Sequence, residues 1–178
     1  MRIAVTGPSG SGKTWLSERL AQSLAVRHVE LDALHHGPNW TSCGPEVLRE
    51  RVLEATESDG WVADGTYQGM LGDLVLQRAE ILAWLDLPVR LVMWRLLSRT
   101  RVRIGRRVEL WSGNREESWR EAFGYLIWPA FKAAFSNRRT VPERIARNPH
   151  LRVHRLRSDR DVRRFVLSLE AASGDGAG

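Results

Sequence analysis

Apolar residues along the chain switch repeatedly between two spacings. Arg2–Thr6 is a short, β-branched apolar run that ends in glycine, the pattern of a buried strand. From Lys13 the spacing changes to four, and Leu16, Leu20 and Leu24 mark one face of a helix. His28–Asp32 reads as a second strand, and Pro45 opens a helix carrying Val47, Leu48, Val52 and Ala55. Two further strands follow, Trp61–Asp64 and Ile81–Asp86, each ending in an aspartate. Pro88 then opens a helix that runs into an arginine-rich stretch. Trp119, Phe123, Ile127, Phe131 and Phe135 recur every four residues and predict a long helix, with a kink at Pro129. Leu151–Leu156 gives a fifth strand. Ser158 and Asp161 form a capping box before a last helix with Val162, Phe165, Val166 and Leu169 inward.

Strands separated by helices imply an α/β fold: a five-stranded parallel sheet with helices on both faces. In such sheets ligands sit beyond the carboxyl ends of the strands, so polar residues there define one candidate site. No internal repeat or linker divides the chain, and 178 residues suffice for one full core. Residues 1–172 are expected to form one domain and 173–178, rich in glycine, a flexible tail. No apolar run approaches the roughly 20 residues of a membrane span, and the start is too short for a signal peptide. The expected location is therefore cytoplasmic, with no membrane partner. Cys43 is the only cysteine, which excludes a disulfide framework or a cysteine metal site.

The strongest chemical signal is Gly7-Pro8-Ser9-Gly10-Ser11-Gly12-Lys13-Thr14, a full G-x-x-x-x-G-K-[ST] match between a strand and a helix. Its glycines let successive backbone N–H groups turn inward around phosphate, and the helix that follows presents its positive end. Gly7, Ser9, Gly10, Ser11, Gly12, Lys13 and Thr14 are thus the expected ATP-binding residues. Lys13 reaches the β- and γ-phosphates, and the Thr14 hydroxyl joins the shell of Mg²⁺.

Other strand-end residues extend this site. Asp64 before Gly65 suits a carboxylate that helps hold Mg²⁺, or an ordinary Asp-Gly turn. Asp86 before Leu87-Pro88 fits either a metal or a helix cap. Asp32, close to His35 and His36, would face the phosphoryl acceptor. It takes a proton if the acceptor is a hydroxyl, and binds substrate or magnesium if the acceptor is a phosphate. A zinc reading of Asp-x-x-His-His lacks a second set of ligands.

Charge divides unevenly along the chain. The net charge of +6 comes from 7 basic and 12 acidic residues in 1–89, against 20 and 9 in 90–178. Arg95, Arg99, Arg101, Arg103, Arg106 and Arg107 form a run without an acid. Arg99, Arg103, Arg106 and Arg107 fall on one helical face. Such a face can close over ATP and neutralise the transferring phosphoryl group, with Arg115 joining from the next loop. A solvated basic face and a nucleic-acid surface are the alternatives.

Together the P-loop, Leu31-Asp32-x-x-His35 with Pro38-Asn39-Trp40, Trp61-Val62-x-Asp64-Gly65-x-Tyr67, Leu85-Asp86-Leu87-Pro88 and Trp111-x-Gly113-Asn114-Arg115-Glu116 carry a resemblance. Over about residues 1–165 the chain resembles a group of adenylate-kinase-like P-loop proteins often labelled DNA topology modulation proteins. The resemblance implies a nucleoside-monophosphate-kinase-like fold with an acceptor region near 32–67 and a short arginine lid at about 95–115. It also puts Arg157 and Ser158 where such kinases pack adenine. True adenylate kinases carry Phe-Pro-Arg where this chain has Thr66-Tyr67-Gln68, so AMP is not the implied acceptor.

The expected function is transfer of the γ-phosphoryl group of Mg·ATP to a small acceptor, a nucleotide or nucleoside among the candidates. Lys13, Asp32, Arg103, Arg107 and Arg115 are the expected catalytic residues. Asp32, His35 and Tyr67 bind the acceptor, Thr14 and Asp64 hold the metal, and Arg157 contacts the nucleotide. The alternatives are a nucleotide-dependent DNA-binding regulator acting through the basic second half, and a plain ATPase in which Asp32 positions water.

Overall fold

The computed structural model describes residues 1–65, 67–106, 108–109, 111–114 and 118–174. Five strands, β1 (Arg2–Thr6), β2 (Arg27–Glu30), β3 (Trp61–Asp64), β4 (Ile81–Leu85) and β5 (Arg152–Leu156), form one all-parallel sheet in the order β2-β3-β1-β4-β5. Parallel neighbours cannot be joined by tight turns, so every connection crosses over through helix. The chain leaves β1 for the edge strand β2, returns to β3, and passes across β1 to reach β4. The carboxyl end of β1 therefore lies between those of β3 and β4, and the crevice there is where open α/β sheets hold ligands.

Side chains alternate faces along each strand, and both faces are apolar. Ala4, Ala63, Leu82 and Trp84 point into one core with Leu48 and Val52 of α3 (Pro45–Ala55), Leu71 of α4 (Gln68–Leu71) and α5 (Leu74–Arg78). Ile3, Val5, Val62, Ile81, Ala83 and Leu85 point into the other, with Leu16 and Leu20 of α1 (Lys13–Ser23) and Phe165 of α9 (Asp159–Gly174). Full burial of a leucine such as Leu16 or Leu20 stabilises by about 1.5–3 kcal/mol. The helices-on-both-faces arrangement follows directly from these two apolar surfaces.

Two elements differ from the expectations. The second strand stops at Glu30, and Leu31–His35 turns into a short helix, α2, so Asp32 stands on a helical turn beyond the strand. Leu31 is fully buried against Gly65, where a β-carbon would come within 2.9 Å of it, and this packing bends the chain out of the sheet. The long helix is continuous from Trp119 but in three parts: α7 (Trp119–Ala122), a π turn (Phe123–Ile127) and α8 (Trp128–Arg147). Pro129 has no N–H to give the carbonyl four residues earlier, and the helix widens into the π turn just before it. The four-residue stripe on this helix is not its buried face. Trp119, Phe123, Phe131 and Phe135 are exposed and only Ile127 is buried, because small Ala130 and Ala134 bring α8 in on its other side.

α6 (Val89–Arg106) packs its first half onto the P-loop, with Leu96 against Ile127 and Ala130. The capping box forms as expected: Asp161 N–H donates to Ser158 Oγ at 3.2 Å, and Ser158 Oγ donates to Asp161 Oδ2 at 2.9 Å. At the sheet edge, β5 is exposed from Arg152 to Arg155. α9 runs to Gly174, so the expected tail from 173 begins inside the helix, and 175–178 lie outside the described residues. No helix among the described residues is long and apolar enough to cross a membrane.

Candidate active site

The P-loop leaves the buried end of β1 and turns directly into α1. Ser11 N–H closes the turn on the Pro8 carbonyl at 3.1 Å, and Gly12 caps α1 with φ +91°. A side chain at Gly10 would meet the Val92 carbonyl at 2.6 Å and Leu96 Cβ at 2.9 Å, so α6 lies directly on the loop. No side chain caps α1 and no acid occupies its first turn, which leaves the helix's positive end facing the loop. Lys13 Nζ donates to the Pro8 carbonyl at 3.3 Å, folded back over the loop it belongs to. Burial pulls the Lys13 pKa down, while Asp32, Asp64 and Glu30 pull it up and Arg99 pulls it down further. The ammonium thus feels the charges of Asp32 at the start of α2 and of Glu30 and Asp64 at the ends of β2 and β3.

Asp64 is buried, and its Oδ2 has no hydrogen-bond partner among the described residues. His28 Nε2 stands 3.7 Å away, too far for a hydrogen bond, and the Asp64 carboxylate raises the His28 pKa against the opposing effect of burial. A buried carboxylate oxygen without a donor fits a cation shell completed by phosphate oxygens and waters. No group of three or more His, Cys, Asp or Glu side chains among the described residues could hold a metal by itself. Thr14 stands one residue beyond Lys13 in the first turn of α1, half-buried.

The expected acceptor residues Asp32, His35 and Tyr67 come together, and His36 joins them. Tyr67 Oη donates to Asp32 Oδ1 at 2.7 Å and lies 3.3 Å from His36 Nε2. His35 packs its ring 4.6 Å from that of Tyr67 and 4.7 Å from that of His36. Burial, and then the Asp32 charge, push the Tyr67 pKa upward, so the phenol stays protonated and donates. Burial and then His36 lower the His35 pKa, which keeps its imidazole neutral near pH 7. The adjacency of His36 and Tyr67 was invisible in sequence because Tyr67 lies 31 residues downstream and takes the unusual φ of +29°.

The arginine stretch is not a separate flap at its start. Residues 95–106 belong to α6, and Arg95 pairs with Asp159 at 2.8 Å, joining this helix to the loop that bears Arg157 and Ser158. Arg95 Nη1 also reaches 4.0 Å from the position of a Gly12 side chain. Arg157 is exposed and its N–H donates to Asp161 Oδ2 at 3.1 Å. Arg99 is near enough to depress the Lys13 pKa, and Arg103 is half-buried one turn further along. Arg107 and Arg115 lie outside the described residues, as does Thr66.

Asp86 has a structural task. Its Oδ1 accepts from Arg138 Nε at 2.8 Å, and its Oδ2 accepts from Arg155 Nε and Nη2 at 2.9 and 2.6 Å. Arg155 in turn covers the Trp84 ring at 4.3 Å. With both oxygens engaged by guanidinium groups, the metal option for Asp86 is removed.

Comparison with known proteins places this architecture. No family model matches the chain, and no curated protein sequence matches it. Solved structures do. Shikimate kinase from Acinetobacter baumannii in complex with shikimate aligns with a TM-score of 0.57 at 15% identity, covering 99% of this chain and 94% of that one. Shikimate kinase from Bacteroides thetaiotaomicron gives 0.55 at 15% identity, with 97% of each chain covered. Deoxyadenosine kinase from M. mycoides with bound dCTP gives 0.51 at 11% identity, covering 96% of this chain and 100% of that one. The chain has the nucleoside-monophosphate-kinase-like P-loop fold. These similarities do not support the DNA topology modulation label.

Proposed function

We propose that this protein is a phosphotransferase that moves the γ-phosphoryl group of Mg·ATP to the hydroxyl of a small acceptor. The observation that carries the reading is the P-loop at the carboxyl end of the central strand, with Lys13 Nζ folded over it onto the Pro8 carbonyl, on a kinase-like sheet. In this reading Gly7–Thr14 hold the phosphates, and Thr14 and Asp64 hold magnesium, whose charge offsets that developing on the β- and γ-oxygens. Lys13 leaves the Pro8 carbonyl for the phosphates. Asp32 accepts the proton of the acceptor hydroxyl, its carboxylate aimed by the Tyr67 phenol. His35 and Tyr67 line the acceptor side, and Arg103, Arg107 and Arg115 neutralise the transferring group. Arg157 lies against the nucleotide base. Residues 1–172 act as one catalytic domain.

The acceptors of the structural neighbours, shikimate and deoxyadenosine by their names, are both hydroxyl-bearing small molecules. That supports a hydroxyl acceptor here and gives Asp32 the role of base. The test is ADP release from Mg·ATP across nucleosides, nucleoside monophosphates, hydroxylated metabolites and no acceptor. Lys13→Ala should lower acceptor-stimulated release by about 100-fold. Equal release by the wild type and the variant would sink the proposal.

A nucleotide-dependent DNA-binding role gains one observation. Trp94 on α6, with Phe123, Phe131 and Phe135, is exposed on a basic half of the chain, and exposed aromatics among cations can stack bases. DNA affinity that falls steeply with salt and changes with ATP would favour this second reading.

A further inference from the structure

Backbone strain is concentrated in one place. Among the described residues, five non-glycine positions have positive φ, and four of them are Asn39 (54°), Trp40 (55°), Tyr67 (29°) and Ser112 (57°). Left-handed backbone at bulky residues persists only where surrounding contacts over-determine it, and it gathers at functional sites. Asn114 supplies such contacts at Trp40 and at Gly37 beside Asn39. It is 5% exposed, its Oδ1 accepts from Trp40 N–H at 2.8 Å, and its Nδ2 donates to the Gly37 carbonyl at 2.9 Å. Ser112 Oγ donates to the His36 carbonyl at 3.1 Å. Gly37 N–H closes the loop on the Thr41 carbonyl at 2.7 Å.

The loop so held leads straight into the acceptor side. The His36 ring stacks edgewise on Trp40 at 5.5 Å and meets the Tyr67 phenol, which donates to Asp32. At its other end Asn114 closes the segment that follows the arginines of α6. Both the oxygen and the nitrogen of its side-chain amide engage backbone groups more than 70 residues away in sequence.

We propose that Asn114 is a positioning residue that fastens the acceptor loop, residues 36–41, to the end of the arginine-bearing segment. Nucleotide binding at the P-loop is thereby felt at Asp32 and Tyr67. The inference rests on the phosphotransferase reading for its purpose, but the tie itself does not. Phosphate that draws the arginines inward pulls on the chain that ends at Asn114, and the amide passes that displacement to Gly37 and Trp40.

Hydrogen exchange on the whole chain tests this, with wild type, Asn114→Ala and Asn114→Asp, each with and without a non-hydrolysable Mg·ATP analogue. In the wild type the analogue should slow exchange in both 7–14 and 36–42. In Asn114→Ala the slowing at 7–14 should remain and that at 36–42 should be lost, with at least about tenfold faster exchange there even without nucleotide. Asn114→Asp keeps an acceptor for the Trp40 N–H and should fall between the two. Unchanged exchange at 36–42 in Asn114→Ala overturns the proposal. So does an equal rise in β1 and β3, which would make Asn114 a residue of general stability. If the analogue leaves 7–14 unprotected in the wild type, the phosphotransferase reading fails, and the nucleotide-free comparison still decides the tie.

Discussion

Gly10 on the P-loop and Gly105 in α6 should respond to alanine in opposite directions. At Gly10 the backbone has φ +84° and a β-carbon would meet the Val92 carbonyl at 2.6 Å. Gly10→Ala should destabilise by about 2 kcal/mol or more, from left-handed strain and overpacking against α6. Gly105, inside α6, has nothing within 4 Å of that position, so Gly105→Ala should stabilise by about 0.5–1 kcal/mol. Urea midpoints of the two variants measure both. Asp73 makes a prediction about pH. Burial alone would raise its pKa, but hydrogen bonds from Arg147 Nε and Arg144 Nε outweigh that and lower it. A carboxylate depressed in the folded state contributes stability above its unfolded pKa of about 4, and loses it as pH falls through the folded value. Thermal midpoints between pH 6 and pH 2 should therefore fall more steeply in the wild type than in Asp73→Asn. At pH 7 the variant should be less stable by about 3 kcal/mol, because Arg144 is left buried without its partner. Neither residue stood out in sequence, since an aspartate and an arginine 71 positions apart carry no local signal. Lys13 did stand out, because its neighbours in sequence are its neighbours in the site.

At the scale of elements, strands and the P-loop were legible because short-range pattern alone decides them. Trp61–Asp64 is copied unchanged from expectation to structure, and Arg2–Thr6 likewise. What pattern could not settle was which side of a helix meets the core. Along this helix Trp119, Phe123, Trp128, Phe131 and Phe135 face out and Ala122, Ala130 and Ala134 face in, since close approach of α8 to Leu96 of α6 selects small residues. Asp86 was ambiguous for a similar reason: its partners Arg138 and Arg155 come from α8 and β5, far along the chain. Here the element-level prediction separates the two readings. Asp86→Asn should lower the melting temperature by about 5 °C, by loosening β4 from α8 and β5, and leave the magnesium dependence of ADP release unaltered. A shifted magnesium dependence would return Asp86 to the metal.

For the molecule as a whole, the five strands and their order along the chain were legible in the sequence, but not the short helices α2 and α5 or the order of strands across the sheet. That order places β1 at the centre and so puts the P-loop between the carboxyl ends of β3 and β4. Ligand binding at this crevice has a global signature. At 100 times its dissociation constant, Mg·ATP should stabilise the wild-type fold by about 2.7 kcal/mol, a rise of roughly 5–10 °C in melting temperature, with little effect on Lys13→Ala. Differential scanning calorimetry reads this without knowing the acceptor. The strand order has another outcome at the opposite margin of the sheet. β5 carries Arg152 and Arg155 on an open edge whose unpaired backbone groups could otherwise recruit the same edge of another copy. Two such edges brought together would set Arg152 among like charges, while Arg155 is held by Asp86, so the charge of Arg152 opposes self-templating at β5. Concentrated samples in which Arg152 has become valine should scatter light and cloud sooner than the parent protein, while dilute ones fold alike.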